Sequence, residues 1–565
     1  MLSETKLSLL EQLVTNASEK EIIWTNGYLA GLLAGNKVDP PPAPVETRIS
    51  LKPTILYGTE TGNAKKVATK LLTGFKKNKI RAKTADVFQY DYKKLEKESL
   101  LLVVISTQGE GELPQNAQAF YDKLLESQPN LEHLKYAVFG LGDSSYPLYC
   151  HAGVLLDEAL EKTGAQRILP LVKADTDYSA LVDEWEEGLI ASLLNTTSPP
   201  KKANTGTDTA KTQQKTHYTG RISHKVILND RGSNKETYHL EISPDETVAY
   251  EPGDALGIVP KNEVAEVQQL ISLLKEDPDK VVSLDGQQLS LTQALLERNI
   301  RGLGKRSLEH IGKLLGIEIT AAKADLVDVL HLHPAPESVH IEDLLKLLLP
   351  IAPRLYSISS STEAHEDEVH LTVTLNRFQV DDAEKTGLAS KFLADFPLDT
   401  SFEFYIHKNP NFKLPAEDSK LIMIGPGTGI APFRSFISHR DAIGAEGENW
   451  LFFGEQHFVS DFYYQTEIQE WIASGVLNRF DVAFSRDQEQ KIYVQDRIRE
   501  KAADFNRWLE EGASLFICGQ KEPMCADVEN SILEAIAVER NIGLEEAKAI
   551  LVDLETAGRY QKDVY

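Results

Sequence analysis

Apolar runs alternate with amphipathic runs over residues 51–195, and the two spacings predict strands that alternate with helices. Each strand-like run precedes a helical pattern. ISLKPTILY is followed by one that begins at Asn63, LLLVVIS by one that begins at Pro114, and YAVFGL by one that passes through Leu155. Such alternation is typical of a parallel sheet with helices on both faces. The same alternation resumes from residue 420 to the end. We therefore predict two α/β domains.

Between these regions the pattern changes twice. Short strand-like runs with turn residues occupy 218–260, and strand-like runs return at 354–407. The stretch between them, 263–349, is mainly helical in pattern. This order predicts a strand-rich domain that a helical insertion interrupts.

Two stretches read as linkers. Residues 38–46, VDPPPAPVE, are rich in proline, and residues 196–216 contain no Val, Leu, Ile or aromatic residue. A segment without large apolar side chains cannot pack, so we predict a flexible linker at 196–216. The predicted division is 1–47 for an N-terminal helical segment with the Pro-rich linker, 51–195 for the first α/β domain, 196–216 for the flexible linker, 217–418 for the strand-rich domain with its insertion at about 263–349, and 419–565 for the second α/β domain.

The composition describes a globular protein of several domains. The chain has 565 residues, 42% of them hydrophobic, with 60 Lys and Arg against 85 Asp and Glu, a net charge of −25. A surface this acidic repels phosphate backbones, so we expect no nucleic-acid partner. A basic or metal-carrying protein partner fits the charge, and simple solubility fits it as well.

The chain has three cysteines, Cys150, Cys518 and Cys525. This number is too small for a disulfide framework or for the four ligands of an iron–sulfur cluster. We therefore expect a cytoplasmic protein without a metal site of its own. The N-terminus lacks the basic start and apolar core of a secretory signal. The apolar stretch at 22–35 is shorter than the roughly 20 residues of a membrane span, so we expect no membrane anchor.

Three polar, glycine-rich loops follow neighbouring strands of the first α/β domain. They are TETGNAKK (59–66), STQGEGELP (106–114) and GLGDSSYPLYC (140–150). Loops at the carboxyl ends of adjacent parallel strands form one crevice, where open α/β sheets bind ligands. The first loop opens a helix and suits a phosphate, and the other two suit a flat ring, on which Tyr146 can stack. Asp143 has an alternative reading as a helix N-cap.

These loops resemble those of flavodoxin-type FMN domains, and the resemblance covers about residues 50–195. It implies that the first loop holds the FMN phosphate and that the other two hold the isoalloxazine ring. The implied FMN contacts are Thr59, Glu60, Thr61, Gly62, Asn63, Ala64, Ser106, Thr107, Gln108, Gly109, Leu141, Gly142, Asp143, Ser144, Ser145, Tyr146, Pro147, Leu148, Tyr149 and Cys150.

The run RLYSISSS (354–361) places an arginine, a tyrosine and serines on one extended segment. Arg354 can pair with a diphosphate and Tyr356 can lie on a flat ring, although a barrel strand with an exposed arginine would look the same. TGLASKFL (386–393) is a small-residue helix start that suits a phosphate.

Together these segments resemble the FAD domain of ferredoxin–NADP reductase-type proteins, which implies a β-barrel. Two positions depart from that family, because Phe378 stands where a tyrosine is common and Thr374 where a glycine is common. The implied FAD contacts are Arg354, Leu355, Tyr356, Ser357, Thr372, Val373, Thr374, Phe378, Gly387, Leu388, Ala389, Ser390 and Tyr565.

The segment LIMIGPGTGIAPFR (421–434) is an apolar strand that runs into three glycines and then a helix. Glycines there let a pyrophosphate approach the backbone. The spacing departs from G-x-G-x-x-G, but with APFR it resembles the nicotinamide half of the same reductases, a Rossmann-like domain. FSRDQEQKIYVQ (484–495) offers hydroxyl and cationic donors for a 2′-phosphate, while Asp487 leaves the choice between NADPH and NADH open on charge alone. The resemblance favours NADPH and implies contacts from Gly427, Thr428, Ser485, Arg486, Lys491, Ile492, Tyr493, Val494, Gln495 and Asp527.

Three further residues take their expected roles from this resemblance. Cys518 alone reads equally well as a small buried residue. The family places such a cysteine near the nicotinamide, with the serine of RLYS and an acidic residue near the C-terminus, which here are Ser357 and Asp563. It also ends in an aromatic residue over the flavin, which makes Tyr565 a lid that NADPH displaces; without this context Tyr565 reads as a packing or exposed residue.

The whole chain resembles diflavin reductases, in which electrons pass from NADPH to FAD, to FMN and to an external acceptor. STQGEGE, SEKEIIWTNGYLAGLL, NWLFFGEQH and RYQKDVY resemble the flavoprotein (alpha) subunits of assimilatory NADPH–sulfite reductases. That resemblance implies a separate sirohaem and iron–sulfur haemoprotein (beta) subunit as partner, and homo-oligomers formed through the N-terminal region. Two alternatives remain: a soluble diflavin reductase for another haem or cobalamin protein, and a non-catalytic flavodoxin-fold scaffold.

Overall fold

The structure is a computed structural model that describes residues 52–59, 62–108, 111–144, 146, 148–175, 178–194, 216–321, 323–380 and 383–565, together with Ile23 and Thr25. The predicted N-terminal segment (1–47) and the predicted linker (196–216) lie outside the described residues, apart from Ile23, Thr25 and Thr216.

The first α/β unit is a parallel sheet with strand order β2-β1-β3-β4-β5, in which β6 also pairs with β4. The central strand β3 is buried along its whole length because apolar clusters pack on both of its faces. This confirms the predicted doubly covered sheet. Its elements are β1 (Pro53–Gly58), α1 (Asn63–Lys77), β2 (Lys83–Asp86), β3 (Leu100–Ser106), α2 (Gln115–Ser127), β4 (Lys135–Leu141), α3 (His151–Lys162), β5 (Gln166–Arg167), β6 (Val172–Ala174) and α4 (Ser179–Leu194).

The second unit is an antiparallel six-stranded sheet with strand order β14-β9-β18-β7-β8-β15. It encloses one apolar core, and a small hairpin of β16 and β17 lies beside it. Its elements are β7 (His217–Ile227), β8 (Thr237–Pro244), β9 (Ala255–Ile258), β14 (Arg354–Ser357), α10 (Thr362–His365), β15 (Val369–Thr374), β16 (Arg377–Val380), β17 (Ala383–Thr386), α11 (Leu388–Asp395) and β18 (Ser401–His407).

The insertion between β9 and β14 is helical around its own core, as predicted. It also contains a short hairpin of β10 and β11, and a two-residue antiparallel pair of β12 with β13 across α7, neither of which the helical pattern predicted. The turn Asp285–Gly286 has positive φ at both residues, which is the two-residue turn that an Asp-Gly pair favours. Its elements are α5 (Val264–Leu274), β10 (Val281–Leu284), β11 (Gln287–Ser290), α6 (Leu291–Leu296), β12 (Leu303–Gly304), α7 (Lys305–Leu315), β13 (Lys323–Ala324), α8 (Leu326–Leu332) and α9 (Ile341–Leu347).

The third unit is a five-stranded parallel sheet with strand order β21-β20-β19-β22-β23, and apolar clusters cover both faces. Its last strand lies at the edge and carries the chain end to the carboxyl side of the sheet. Within the described part of the chain, no helix is long and apolar enough to cross a membrane. The elements are β19 (Leu421–Ile424), α12 (Ile430–Ile443), β20 (Asn449–Glu455), α13 (Phe458–Asp461), α14 (Gln465–Ser474), β21 (Arg479–Phe484), α15 (Val494–Glu500), α16 (Ala502–Glu510), β22 (Ser514–Gly519), α17 (Ala526–Arg540), α18 (Leu544–Thr556) and β23 (Tyr560–Val564).

Candidate functional site

The loops that follow β1, β3 and β4 meet at the carboxyl edge of the first sheet. The Ser106 hydroxyl donates to Thr59 Oγ1 at 3.3 Å, and the Thr107 N–H donates to the Leu141 carbonyl at 2.9 Å. Gly62 takes a left-handed conformation, with φ of 86°, directly before α1. The N–H groups at the start of α1 and the Thr59 hydroxyl form a donor set that fits a phosphate. The first turn of α1 carries no acidic residue that would repel such an anion.

The remaining predicted FMN residues divide into an accessible and a buried group. Cys150 belongs to the buried group, because its thiol points to the Gly140 carbonyl at 3.3 Å and burial raises its pKa to about 12. Leu141 is buried as well. The residues left at least partly accessible are Thr59, Gly62, Asn63, Thr107, Gln108, Gly142, Asp143, Ser144, Tyr146, Leu148 and Tyr149. Ala64 and Ser106 are buried, and Glu60, Thr61, Gly109, Ser145 and Pro147 lie outside the described residues.

Asp143 does not cap a helix, so that alternative reading is wrong. The helix α3 begins at His151 with Cys150 in the N-cap position, well beyond Asp143. The Asp143 carboxylate instead lies 3.8 Å from Nδ1 of His407, at the end of β18 in the barrel. The loop of the first unit therefore contacts the second unit.

Most of the predicted FAD residues lie on β14, β15 and the start of α11, whereas Phe378 lies on β16 and Tyr565 follows β23 in the third unit. Arg354 is exposed and Tyr356 packs against the barrel core. The Thr372 hydroxyl lies 2.6 Å from the Tyr464 hydroxyl, and the Thr374 hydroxyl lies 2.8 Å from the Thr237 hydroxyl, so both side chains bond within the protein. Val373 belongs to the barrel core.

The start of α11 fits an anion. Gly387 is its N-cap, and the first turn, from Leu388 and Ala389, carries no acidic residue. Ser390 is turned inward, because its hydroxyl accepts from the Asn376 N–H at 3.1 Å. Phe378, where the family commonly has tyrosine, is exposed on the β16 hairpin.

The glycine loop after β19 packs against the end of β22. A β-carbon at Gly429 would lie 2.1 Å from the Cys518 carbonyl oxygen, and one at Gly425 would lie 2.5 Å from the Gly429 carbonyl oxygen. Gly427 has a φ of 59°. Only glycine allows this close packing. The first turn of α12, which follows the loop, carries no acidic residue. This cradle fits a dinucleotide pyrophosphate.

The predicted 2′-phosphate residues surround the turn after β21. Arg486, Lys491 and Tyr493 are exposed, whereas Ser485 is buried. The nearby acid is occupied: Asp487 accepts from the Phe458 N–H at 2.8 Å and lies 2.8 Å from Nδ1 of His457, and these contacts lower its pKa.

The remaining predicted NADPH residues also divide into buried and accessible ones. Val494 is buried and Ile492 packs beside it against a core cluster. Tyr493, Gln495 and Asp527 line one cleft between α15 and α17. Tyr493 and Gln495 follow the turn in the chain and connect it to this cleft, which Arg486 and Lys491 do not line.

Three predicted residues from distant parts of the chain meet at the boundary of the second and third units. The Ser357 hydroxyl donates to Asp563 Oδ2 at 2.7 Å, and the Cys518 thiol lies 3.9 Å from the same oxygen. Burial raises the pKa of Asp563, although the Ser357 bond and the charge of His407 act against this. Burial, together with the Asp563 charge, raises the pKa of Cys518 well above its ordinary value, so the thiol stays protonated.

The terminal residue is held in place by three hydrogen bonds. The Tyr565 N–H donates to the Gly519 carbonyl at 3.1 Å, and the Tyr565 carbonyl accepts from the Lys521 N–H at 2.9 Å. The Tyr565 hydroxyl lies 2.6 Å from the Thr428 hydroxyl in the glycine loop. The residue as a whole is nevertheless 63% exposed. Tyr565 is thus anchored beside Cys518 while much of its surface stays accessible.

Comparison with known proteins identifies the same three units. The Flavodoxin family model matches residues 55–188, the FAD binding domain model matches 210–313 and 305–392, and the Oxidoreductase NAD-binding domain model matches 423–530. The chain is 38% identical over 600 residues to a sulfite reductase [NADPH] flavoprotein alpha-component of Bacillus subtilis (strain 168), covering 100% of this chain and 98% of the relative. It is 37% identical over 589 residues to the proteins of that name from Klebsiella pneumoniae and Salmonella typhimurium, with the same coverage.

The chain belongs to the family of sulfite reductase flavoprotein alpha-components. This confirms the predicted diflavin reductase architecture, and with it FMN, FAD and NADPH as the cofactors of an electron-transferring oxidoreductase.

Two residues of this flavoprotein beside the glycine loop escaped the sequence reading. Lys235, two residues before β8, forms an ion pair of 2.5 Å with Glu455 at the end of β20. Glu455 Oε1 lies 3.4 Å from the position of a β-carbon on Gly427. The Lys235 ammonium group of the barrel therefore lies close to the glycine loop that fits a pyrophosphate. No local sequence signal indicates this ion pair, because Lys235 lies 220 residues from Glu455.

Proposed function

We propose that this chain passes electrons from NADPH through FAD and FMN to a sirohaem and iron–sulfur haemoprotein subunit, which reduces sulfite to sulfide. The observation that carries the proposal is the meeting of Ser357, Cys518 and Asp563 beside the glycine loop, at the boundary between the predicted FAD and NADPH residues. When bound, FAD accepts hydride from NADPH and FMN releases single electrons to the acceptor.

Ser357, Cys518 and Asp563 would position the reacting groups of the cofactors and stabilise charge on them. Ser357 and Asp563 form a polar pair that can stabilise charge on a neighbouring ring, because their hydrogen bond is already formed. Cys518 supplies a protonated thiol at the same point and fills the space next to Gly429. None of the three needs to form a covalent bond.

Selection of NADPH is proposed to rest on Ser485, Arg486, Lys491, Tyr493 and Gln495. Arg486, Lys491 and Tyr493 are exposed and Gln495 is partly accessible, so their donors match a 2′-phosphate, whereas Ser485 is buried beside them. The nearby carboxylate of Asp487 is engaged elsewhere. Gly427 and Thr428 would hold the pyrophosphate, with Lys235 as a further cation from the barrel. Asp527 lines the cleft that Tyr493 and Gln495 also line.

Tyr565 is proposed as the lid on the FAD ring that the nicotinamide displaces. Its anchoring to Gly519 and Thr428 supports this role, because the contact with Thr428 places the phenol directly at the predicted dinucleotide loop. Arg354, Tyr356 and the start of α11 would bind the rest of FAD. The loops after β1, β3 and β4 would bind FMN.

We further propose the domain division 1–47, 51–195, 196–216, 217–418 and 419–565. In this division the N-terminal segment forms homo-oligomers, and the linker lets the FMN domain move between FAD and the partner. The contact between Asp143 and His407 supports a position of the FMN loops against the FAD domain. The relatives' shared name, sulfite reductase [NADPH] flavoprotein alpha-component, supports NADPH as the donor and a further component as partner. The assimilatory, cytoplasmic role and the haemoprotein nature of that partner are part of the proposal.

The test is flavin extraction and NADPH titration of the purified full chain, followed by assay with a sirohaem haemoprotein and sulfite. We expect one FMN and one FAD per chain, rapid bleaching by NADPH, slow bleaching by NADH, and sulfide formation. Reduction of another haem or cobalamin protein without sulfide formation would replace the acceptor. A protein without flavin or without bleaching would support the scaffold alternative.

A further inference from the structure

Three consecutive serines of the barrel bond to one helix of the third unit. Ser359, Ser360 and Ser361 have no exposed surface and follow directly after the β14 residue Ser357 and its neighbour. Their partners lie on α12, which begins immediately after the glycine loop. We refer to these three serines with Arg434, Ser435 and His439 as the α12 clasp.

The clasp contains one hydrogen bond for each serine. Arg434 Nη1 donates to the Ser359 carbonyl at 2.8 Å, and the Ser435 hydroxyl donates to the Ser360 carbonyl at 2.5 Å. The Ser361 hydroxyl lies 2.9 Å from Nδ1 of His439. The chain that carries Ser357 is therefore fixed to the helix that carries the glycine loop.

Arg434 is the centre of this arrangement. It is buried, and its Nε and Nη2 atoms donate to the two oxygens of Glu467 at 2.7 and 3.0 Å. Its guanidinium carbon lies 4.8 Å from the centre of the Tyr464 ring. A planar fork with several donors is needed to reach all of these acceptors at once, and a lysine cannot provide it.

The fourth acceptor of Arg434 is His370 on β15. Nη1 lies 3.1 Å from Nδ1 of His370, and because arginine only donates, Nδ1 must accept. The proton of this imidazole is therefore on Nε2, which donates to Glu368 Oε2 at 3.0 Å. Burial, with the charge of Arg434, lowers the pKa of His370 to about 2, so the ring stays neutral.

The position of this proton shows whether the neighbouring cluster of Glu241, Glu368 and His370 binds a metal ion or orients Arg434. The ligand atoms of Glu241, Glu368 and His370 lie within 4.8 Å of one another, a spacing that a metal ion could use. A metal ligand nitrogen must give up its proton, but Arg434 holds the proton of His370 on that nitrogen. The cluster therefore serves to orient Arg434.

We propose that Arg434 is a positioning residue for hydride transfer, because it sets the placement of the predicted nicotinamide loop relative to the predicted flavin strand. Hydride transfer requires the reacting atoms about 3–3.5 Å apart, and a shift of about 1 Å can cost about 10²-fold in rate. The path through the clasp joins Ser357 to Thr428 over a few residues on each side. This inference rests on the proposed hydride site.

The test compares Arg434→Met with Arg440→Met in the full chain. Arg440 is a matched control because it is a buried arginine on the same helix, and within the described part of the chain its Nη2 donates to the Ser419 and Gly447 carbonyls, both in the third unit. Stopped-flow reduction of FAD is measured with NADPH and with NADPH deuterated at the transferred position. Flavin content, thermal unfolding and NADP⁺ affinity are measured alongside.

For Arg434→Met we expect FAD reduction to slow by about 10²-fold, with a larger isotope effect and NADP⁺ affinity within about threefold of the original chain. Arg440→Met should keep the rate within about threefold, even where it loses stability. Arg434→Lys should recover only part of the rate. Equal rates in the Arg434→Met and Arg440→Met variants, or a loss seen only in NADP⁺ affinity, would overturn the proposal.

Two milder variants keep the test decisive if Arg434→Met does not fold. Ser435→Ala and His439→Ala each remove one bond of the clasp, and each should slow hydride transfer and raise the isotope effect without loss of flavin. Unchanged rates and isotope effects in both would overturn the proposal. If NADPH does not bleach the unaltered chain, the proposed function itself fails, which is a separate outcome.

Discussion

The Ser357 hydroxyl donates to the Asp563 carboxylate at 2.7 Å, although 206 residues separate the two in the chain. Ser357 ends a barrel strand, and Asp563 lies on the edge strand of the last sheet. The bond places an acid with a raised pKa next to the Cys518 thiol.

This relationship predicts a pH dependence of FAD reduction by NADPH. Burial raises the Asp563 pKa above its ordinary 3.8, so the carboxylate takes up a proton earlier as the pH falls. We expect the rate of FAD reduction to fall as pH drops through that raised pKa. Asp563→Asn should lower the rate by about 10²-fold and abolish this acid limb. Ser357→Ala is the control: it should keep the limb but move it to higher pH, because it removes a bond that lowers the Asp563 pKa. An unchanged limb in Asp563→Asn would assign it to another group.

Deletion of Tyr565 should raise the use of NADH relative to NADPH. The lid no longer has to be displaced, so the cofactor with weaker binding gains most. Steady-state kcat/KM for both cofactors measures the ratio. Tyr565→Phe is the matched control, since it keeps the ring but loses the hydroxyl that contacts Thr428, and it should keep the preference. A deletion variant with the original NADH/NADPH ratio would contradict the lid role.

Arg486→Ala should weaken NADPH far more than NADH. A charge-assisted hydrogen bond to phosphate contributes about 2–3 kcal/mol, which corresponds to about 10²-fold in kcat/KM for NADPH. The control is Arg507→Ala, an exposed arginine on α16 that pairs with Asp504. Equal losses with the two cofactors would show that Arg486 does not recognise the 2′-phosphate.

Asp254→Asn should destabilise the barrel. The Asp254 side chain has no exposed surface and pairs with Lys413 at 2.5 Å and Lys408 at 2.9 Å. Because Lys408 and Lys413 are 56% and 25% exposed, the loss should cost less than that of a fully buried pair, about 1–3 kcal/mol, measured as unfolding free energy at pH 7. An exposed pair offers the control: Asp245→Asn, opposite Arg221, should cost about 1 kcal/mol or less.

The same variant has a defined pH window. Burial raises the Asp254 pKa, but the bonds from Lys413, Lys408 and the Glu251 N–H outweigh burial and lower it below 3.8. A lowered folded-state pKa gives stability that is complete above about pH 3.8 and is lost as pH falls through the folded value. The difference between the original chain and Asp254→Asn should therefore shrink only below about pH 4. A difference that already declines between pH 7 and 5 would contradict this assignment.

Removal of residues 1–47 should reduce the mass of the oligomer in sedimentation while leaving NADPH–ferricyanide activity intact. The predicted oligomerisation segment is lost, whereas every residue proposed to bind a cofactor remains. An unchanged mass would place the oligomer contact elsewhere. Loss of activity together with mass would show that the assembly supports the flavin sites.

The sequence by itself determined the parts that depend on local periodicity. The apolar runs before Asn63, Pro114 and the 140–150 loop predicted the first sheet, and the three polar loops at its carboxyl edge followed from the geometry of parallel strands. The Asp285–Gly286 turn was missed even though its signal is local, because a helical interpretation of the whole insertion hid it.

Only the tertiary structure decided which distant groups meet. The contact of Ser357 with Asp563, the pairing of Lys235 with Glu455 and the hydrogen bonds of Arg434 to the barrel each join different units. The proton position on His370 also followed from a partner 64 residues away. Local sequence sets backbone preference over a few residues, whereas packing of the units against one another sets these distances and the burial that shifts the pKa values.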